Sequence, residues 1–147
     1  MTDRRLLLKK LARLREHVNL LRQRRPAALD EFRSRDRQDL AALAFVVAMQ
    51  EAIDIAAHVC ADDGLGLPGS YGESFLLLTA PGILGEELAR QLARMVHVRN
   101  RIVHGYLSVD FETFWRDLPA GITGLDGFAA AIARRAGPPS AEKSAGS

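Results

Sequence analysis

The chain has 147 residues, of which 48% are hydrophobic and 26% are charged, so its composition is that of a folded globular protein and excludes a disordered one. This length favours a single domain with a core of useful size. Residues 1–25 lack the apolar stretch of a secretion signal, and no apolar run approaches the ~20 residues of a transmembrane helix. The single cysteine, Cys60, excludes an internal disulfide. We therefore expect a cytoplasmic protein that makes no contact with a membrane.

The net charge of +2 hides a strong asymmetry along the chain. Residues 1–25 hold nine basic and two acidic side chains, a charge of +7, which leaves 11 basic and 16 acidic side chains, a charge of −5, for residues 26–147. A basic segment can follow the phosphates of RNA, dock an acidic partner protein, or be a solvated face. The sequence leaves these three alternatives open.

Two long amphipathic helices are predicted for the first half of the chain. Apolar residues recur at steps of three and four from Leu7 to Leu21, and the helix that they predict ends before Pro26. A short connector follows, and residues 36–62 form the second helix, with Asp36 as the expected N-cap. One stripe of this second helix stays apolar or small along its whole length, so we expect the helix to be central in the fold.

The second half of the chain predicts shorter helices between breaks that contain glycine and proline. These helices cover residues 71–79, residues 86–103 with Gly105 as the C-terminal stop, a short stretch that begins at Asp110, and residues 124–136. Residues 137–147 are rich in Gly, Pro, Ser and Ala, which predicts a disordered, flexible tail. Since no strand pattern longer than four residues stands out, we expect an all-α antiparallel bundle of four to five helices over residues 1–136.

The most unusual group of polar side chains lies where the helix over residues 86–103 ends. Arg99, Asn100, His104 and Tyr106 fall within eight residues. The planar donor fork of an arginine suits a phosphate group, and a histidine side chain exchanges protons near neutral pH. On spacing alone, a solvated helix end with His104 as a cap is an equally good interpretation.

The pattern Arg99-x-x-x-x-His104-x-Tyr106 resembles the signature of HEPN-domain ribonucleases, in particular their HepT-like toxin branch. The residues on either side of the pattern agree with that family. Two further segments, residues 51–59 and 71–84, are similar to the family's second-helix motif and to its middle segment. The three segments occur in the family's order, so the resemblance covers most of the chain and implies a HEPN-type helical bundle.

The resemblance also implies an activity, that of a metal-independent endoribonuclease whose active site lies in the cleft of a homodimer. In such an enzyme the 2′-hydroxyl of RNA attacks the adjacent phosphorus. His104 is then the expected general acid or base, Arg99 stabilises the charge on the phosphoryl oxygens, and Asn100 donates to these oxygens or orients the histidine. One such histidine per chain is too few for both acid and base, so two copies of the motif at a dimer cleft would supply both roles.

Two further residues enter through the resemblance. Asp54 is expected to support the site by pairing with Arg99 and fixing its guanidinium; the alternative is a solvated carboxylate that pairs with nothing. Tyr106 stands at the position to which the family's partner, an MNT-type nucleotidyltransferase antitoxin, transfers AMP. The resemblance therefore implies that AMP on Tyr106 keeps RNA out of the site, in a complex with the antitoxin that can be larger than a dimer.

No metal and no cofactor are predicted. His58 and Cys60 are two residues apart on a helix and point in different directions, and we interpret His58 and His97 as packing histidines. Two other interpretations of the protein stay open: a non-catalytic HEPN module whose polar cleft binds a nucleotide or a partner protein, and an inert helical scaffold.

Overall fold

The structure is a computed structural model and describes residues 4–137. It contains five α-helices: α1 (Arg4–Arg24), α2 (Arg35–Asp62), α3 (Tyr71–Leu76), α4 (Glu86–His104) and α5 (Phe111–Ala136). Single 3-10 turns lie at Leu29–Arg33 and Tyr106–Ser108. No strand occurs within the described range, so the predicted all-α bundle is confirmed. Apart from Gly137, the predicted disordered tail lies outside the described residues.

Helix α1 lies antiparallel to α5 and buries its whole apolar stripe. Arg4, at the start of α1, donates from Nε to the carbonyl oxygen of Ala136 at 2.9 Å, whereas Arg25, just past its end, donates to that of Trp115 at 2.9 Å. Each residue of the predicted stripe is at most 3% exposed: Leu7, Leu11, Leu14, Val18 and Leu21. The period of three and four residues thus identified the face of α1 that forms the core.

Helix α2 is the central helix, as predicted, and packs against α1, α3 and α4. By length and apolar composition it is the one described helix that is able to cross a membrane, a property that the search for apolar runs missed. Within its most apolar window, 56% is buried inside the bundle. Most of its apolar residues therefore lie in the core of this fold.

The N-cap of α2 lies two residues before the predicted one. Ser34, with extended backbone, is the N-cap residue, and Asp36 lies in the first turn. The prediction that Asp36 is the N-cap is therefore wrong. A carboxylate in the first turn faces the positive end of the helix dipole, so its sequence signal closely resembles that of an N-cap.

Helix α5 replaces two predicted helices with one continuous element. A helix was expected to begin at Asp110, and Asp110 is the N-cap of α5, whose carboxylate accepts from the backbone N–H groups of Glu112 and Thr113. Pro119 lies inside the helix, where its missing N–H leaves the carbonyl of Trp115 without an intrahelical donor. Because Arg25 donates to that carbonyl, the helix continues through the proline.

Three glycines along α5 allow close contact with α4. A Cβ added at Gly124 would lie 3.0 Å from the side chain of Gln91, and one added at Gly121 would lie 3.3 Å from that of Met95. Gly127, one turn further along, faces the preceding turn of α4. The prediction of a break at 124 is wrong because these glycines serve helix packing instead.

The remaining elements agree with the sequence. Ser70 caps α3 by accepting from the backbone N–H of Glu73, although α3 ends at Leu76, before the predicted end at 79. Helix α4 runs one residue past the predicted end, and Gly105 is its C-cap. The end of α4 thereby reaches the start of α2, which positions the polar motif.

Candidate active site at the meeting of α2 and α4

Arg99 lies near the end of α4, and two amide groups hold its guanidinium. Nη2 donates to Oε1 of Gln50 on α2 at 2.8 Å, and Nη1 donates to Oδ1 of Asn100 at 3.0 Å. The guanidinium carbon lies 5.3 Å from the centre of the Tyr71 ring on α3, within the range of a cation–π contact. Three helices therefore fix the half-buried Arg99 side chain.

Asp54 reaches Arg99 only through Gln50. Nε2 of Gln50 donates to Oδ1 of Asp54 at 3.1 Å, while the amide oxygen of Gln50 accepts from Arg99. Asp54 is exposed, and no direct ion pair between Asp54 and Arg99 is found among residues 4–137. The expected direct pair is corrected to a relay, because the spacing of four residues places Gln50 one turn closer to Arg99 on the same face of α2.

The Arg99 guanidinium keeps donor capacity for a ligand. A guanidinium has five N–H donors, and the bonds to Gln50 and Asn100 use two of them. Nε is enclosed and has no hydrogen-bond partner among the described residues. The second hydrogens of the two Nη atoms can therefore bind phosphoryl oxygens while the side chain stays anchored.

His104 is the last residue of α4 and is exposed. Asn100 precedes it by four residues, so the amide and the imidazole lie on the same face of the helix. Arg99 precedes it by five residues, which corresponds to about 140° around the helix axis and about 7.5 Å along it. Within one chain, the guanidinium and the imidazole therefore point in different directions.

Tyr106 lies just past the end of α4 and contacts the start of α2. Its hydroxyl donates a short hydrogen bond to Oδ1 of Asp39. Arg35 lies 3.3 Å from the same carboxylate and 5.4 Å from the centre of the tyrosine ring, and the ring of Phe111 packs edge-on against it at 5.5 Å. The pKa of Tyr106 is raised to about 12, mainly because the hydroxyl is partly buried and secondly because it donates a hydrogen bond to Asp39.

Sequence reasoning missed both Asp39 and Arg35. Asp39 is 67 residues away from Tyr106 along the chain, and no periodic pattern links the two. The only available signal was that Arg35 and Asp39 lie four residues apart at the start of a predicted helix. An ordinary ion pair on the surface of a helix has the same spacing.

An exposed apolar patch borders this site. Its four residues are between 45% and 88% exposed: Leu40, Leu43, Val103 and Leu107. The contacts of Gln50 with Arg99 and of Asp39 with Tyr106 fix an antiparallel register of α2 and α4, so Val103 lies beside the Leu43 region. Exposed apolar side chains that group together and are bordered by polar residues are typical of surfaces that bind another protein.

A groove of about 710 Å³ lies between α3 and α4, on the side of Asn100. Tyr71, His97 and Asn100 line it. His97 is exposed, so its interpretation as a packing histidine is wrong, whereas His58 is half-buried with Nε2 at 3.3 Å from Asp62. No group of three or more His, Cys, Asp or Glu side chains able to hold a metal occurs in the part of the chain that the structure describes.

The basic face of α1 is partly used inside the protein. Arg22 pairs with Asp126 of α5 at 2.5 Å, and Arg25 caps the Trp115 carbonyl and stacks on the Trp115 ring at 4.0 Å. Other basic side chains of α1 are exposed: Lys9, Arg13 and Arg15. The alternatives of RNA contact, partner docking and a solvated face therefore concern the exposed basic residues of α1.

Comparison with known proteins gives consistent matches. Residues 7–132 match the family described as ribonuclease HepT-like. The mRNA nuclease HepT of Shewanella oneidensis is 33% identical over 75 residues, which are 51% of this chain and 56% of that protein. The chain thus spans about half the length of this curated relative.

Solved structures share the same bundle. The tri-AMPylated HEPN toxin of Shewanella oneidensis in complex with MNT antitoxin superposes with a TM-score of 0.80 at 24% identity, covering 90% of this chain and 98% of that one. The cytosolic protein YutE of Bacillus subtilis, whose function is unknown, gives a TM-score of 0.75 at 19% identity, covering 88% and 87%. At such identities the likeness shows a common fold. Because the family match spans most of the helices described above, this chain belongs to the ribonuclease HepT-like family.

Proposed function

We propose that this protein is the toxin of a toxin–antitoxin pair and an endoribonuclease that acts as a homodimer without a metal ion. The observation that carries this proposal is the anchored Arg99 guanidinium, with free donors, on the same helix end as the exposed imidazole of His104. Membership of the ribonuclease HepT-like family and the 33% identity to a HepT mRNA nuclease support it.

The proposed chemistry is attack of a ribose 2′-hydroxyl on the adjacent phosphorus. The phosphorane-like transition state carries extra negative charge, which the two outer Nη hydrogens of Arg99 stabilise by charge-assisted hydrogen bonds. One His104 removes the proton from the 2′-hydroxyl and a second donates a proton to the leaving 5′-oxygen. Asn100 shares the face of His104 and orients the imidazole or donates to the phosphate.

The apolar patch supports the homodimer. A symmetric contact through Leu43 and Val103 would remove these side chains from water and place two copies of α4 side by side. His104 follows Val103 directly, so the two histidines would meet across the same cleft. This arrangement supplies the acid and the base that one chain lacks.

Regulation is proposed to act on Tyr106. A solved relative is a tri-AMPylated HEPN toxin bound to MNT antitoxin, and the family resemblance assigns the modified tyrosine to position 106. An AMP group there would add a phosphodiester charge and a nucleotide two residues from His104. Both the repulsion of RNA phosphates and the added bulk oppose substrate entry.

The test is cleavage of a labelled RNA by purified protein in the presence of a chelator. We expect cleavage by the wild type that leaves a cyclic phosphate end, and a loss of at least about a hundredfold in His104→Ala and Arg99→Ala. Arg90→Ala is the matched control for Arg99→Ala, since its side chain is exposed on α4 away from the described contacts of Arg99. Helix content measured by circular dichroism checks the fold of each variant.

Three outcomes contradict the proposal, each in a different way. Cleavage that persists in both variants removes Arg99 and His104 from the chemistry. A wild type that cleaves no RNA, yet binds a nucleotide or the antitoxin in a manner lost on Arg99→Ala, makes the protein a non-catalytic binding module. Cleavage that the chelator abolishes overturns the metal-free mechanism alone.

A further inference from the structure

We propose that Asp39 is the residue that accepts the phenol proton of Tyr106 when AMP is transferred to that tyrosine, and that Arg35 positions the Asp39 carboxylate for this step. The role rests on the proposed function, because it concerns the reaction that modifies Tyr106. It adds a catalytic group that the toxin itself contributes to its own modification.

The geometry of the start of α2 carries the inference. The Tyr106 hydroxyl already donates to Oδ1 of Asp39, so the reacting oxygen and a carboxylate are in direct contact before any partner binds. Arg35 holds that same oxygen atom at 3.3 Å and covers the tyrosine ring at 5.4 Å. With Phe111 packed on the ring, the phenol has a fixed position relative to its acceptor.

The surroundings allow the proton to leave afterwards. The side chains of Asp39 and Arg35 are 50% and 60% exposed, so a protonated carboxyl group at position 39 is in contact with water. Asp39 and Arg35 are the charged groups, among the described residues, that act on the Tyr106 hydroxyl. No other acidic side chain in the described range accepts a hydrogen bond from the Tyr106 hydroxyl.

Tyr106 needs such an acceptor because its hydroxyl is a weak acid. With its pKa raised to about 12, on the order of one molecule in 10⁵ carries a phenolate at pH 7. A reaction that begins from the phenolate therefore contributes little to the rate of AMP transfer. The proton has to leave during the attack, which requires a base in hydrogen-bond contact with the hydroxyl.

AMP transfer to Tyr106 exchanges one phosphorus–oxygen bond for another. The phenol oxygen of Tyr106 forms a bond to the α-phosphorus of ATP held by the nucleotidyltransferase, and the bond from that phosphorus to the bridging oxygen of pyrophosphate breaks. The phenol proton passes to the Asp39 carboxylate and then to water. The products are Tyr106 linked to AMP through a phosphodiester, and pyrophosphate.

One consequence separates this role from simple support of the fold. A phenol oxygen forms a single phosphodiester, so any second or third AMP unit on the same residue is attached to the AMP already present. Asp39 then has no phenol proton to accept. Loss of Asp39 should slow the first addition and leave the later ones unchanged.

The experiment follows AMP transfer by intact-protein mass spectrometry, using the full chain, ATP and the MNT-type nucleotidyltransferase that modifies it. In Asp39→Asn the first addition is expected to slow by about a hundredfold or more at pH 7, while conversion of the singly to the multiply modified form keeps the wild-type rate. The rate ratio of Asp39→Asn to wild type should rise with pH, since phenolate formed in solution replaces the missing base. Asp39→Glu, which keeps the carboxylate, should recover part of the first rate.

The matched control is Asp36→Asn, which removes the same charge from the same first turns of α2 without touching Tyr106. Asp36→Asn should receive AMP at the wild-type rate. Size-exclusion chromatography should show that both variants still bind the nucleotidyltransferase. Equal first-addition rates in Asp39→Asn and wild type, or a loss with an unchanged pH dependence, would overturn the role of Asp39 alone. A wild type that gains no AMP, or gains it equally in Tyr106→Phe, would overturn the proposed modification of Tyr106 and this role with it.

Discussion

At the scale of single residues, the position of the Arg99 guanidinium depends on Gln50. This amide joins Arg99 to Asp54, with bonds of 2.8 Å and 3.1 Å on its two sides. We predict that Gln50→Ala lowers kcat/KM for RNA cleavage by about tenfold, because a hydrogen bond to a charged group is lost and the guanidinium becomes mobile. Asp54→Ala should lower it by less than about threefold, since the exposed carboxylate acts only through the amide. A larger loss in Asp54→Ala than in Gln50→Ala would contradict the relay and favour a direct pair.

Tyr106 provides a second prediction at this scale, which concerns pH. The chain has two tyrosines, so in Tyr71→Phe the phenolate absorbance reports Tyr106 alone. We expect its titration near pH 12, and a shift towards the usual value of about 10 in Asp39→Asn, because one cause of the raised pKa is removed. An unchanged midpoint in Asp39→Asn would contradict the hydrogen bond.

The same hydroxyl links folding to pH, with a definite sign. The folded protein holds the phenol proton more tightly than the unfolded chain, whose tyrosines titrate near 10. The stability that Tyr106 contributes is therefore complete below pH 10 and is lost as the pH rises from 10 towards 12. Urea unfolding of wild type and Tyr106→Phe on both sides of this window measures the difference between the two proteins, which should shrink with rising pH.

At the scale of elements, local patterns predicted those features that depend on neighbours in sequence. The stripe of α1, the start of α5 at Asp110 and the end of α4 at Gly105 all follow from spacings of four residues or fewer. The continuity of α5 through Pro119 does not follow from such spacings. The carbonyl of Trp115, which lacks its donor within the helix, accepts from Arg25, and Arg25 is distant in sequence.

The candidate site divides in the same way. The motif on α4 is contiguous, so its residues were identified from the sequence, including Arg99 and His104. The partners of this motif come from α2, and their identity depends on the register between two helices. That register placed Gln50 rather than Asp54 against Arg99, and Asp39 against Tyr106.

The packing of α5 on α4 gives a prediction about stability. At Gly127 an added Cβ would meet Leu88 at 3.4 Å, an ordinary contact, so Gly127→Ala should stabilise the protein by up to about 1 kcal/mol through helix propensity. At Gly124 it would meet Gln91 at 3.0 Å and displace the amide that donates to the Ala120 carbonyl at 2.9 Å. Thermal unfolding should thus show a rise in Tm of about 3 °C for Gly127→Ala and little or no rise for Gly124→Ala. The reverse order would contradict the packing described for this helix pair.

At the scale of the whole molecule, the proposed chemistry needs two chains. Arg99 and His104 diverge by about 140° around α4, and in the proposed reaction a single His104 per chain would have to serve two proton transfers. Leu43 and Val103 are exposed, and in the proposed dimer they would form the contact that brings a second α4 against the first. The same surface would then stabilise the dimer and complete the catalytic cleft.

Mixed dimers test whether the cleft uses both histidines. If one His104 is the base and its counterpart is the acid, a dimer that holds one wild-type and one His104→Ala chain is inactive. Activity in an equilibrated mixture should then follow the square of the wild-type fraction, so an equal mixture retains about a quarter of the activity of undiluted wild type. If each chain has its own complete site, the activity follows the fraction itself and about a half remains. His104→Ala combined with Leu43→Asp is the control, because a charge in the apolar patch prevents this variant from pairing with wild type. An equal mixture with this variant should therefore retain about a half of the activity of undiluted wild type, as the wild-type fraction alone requires.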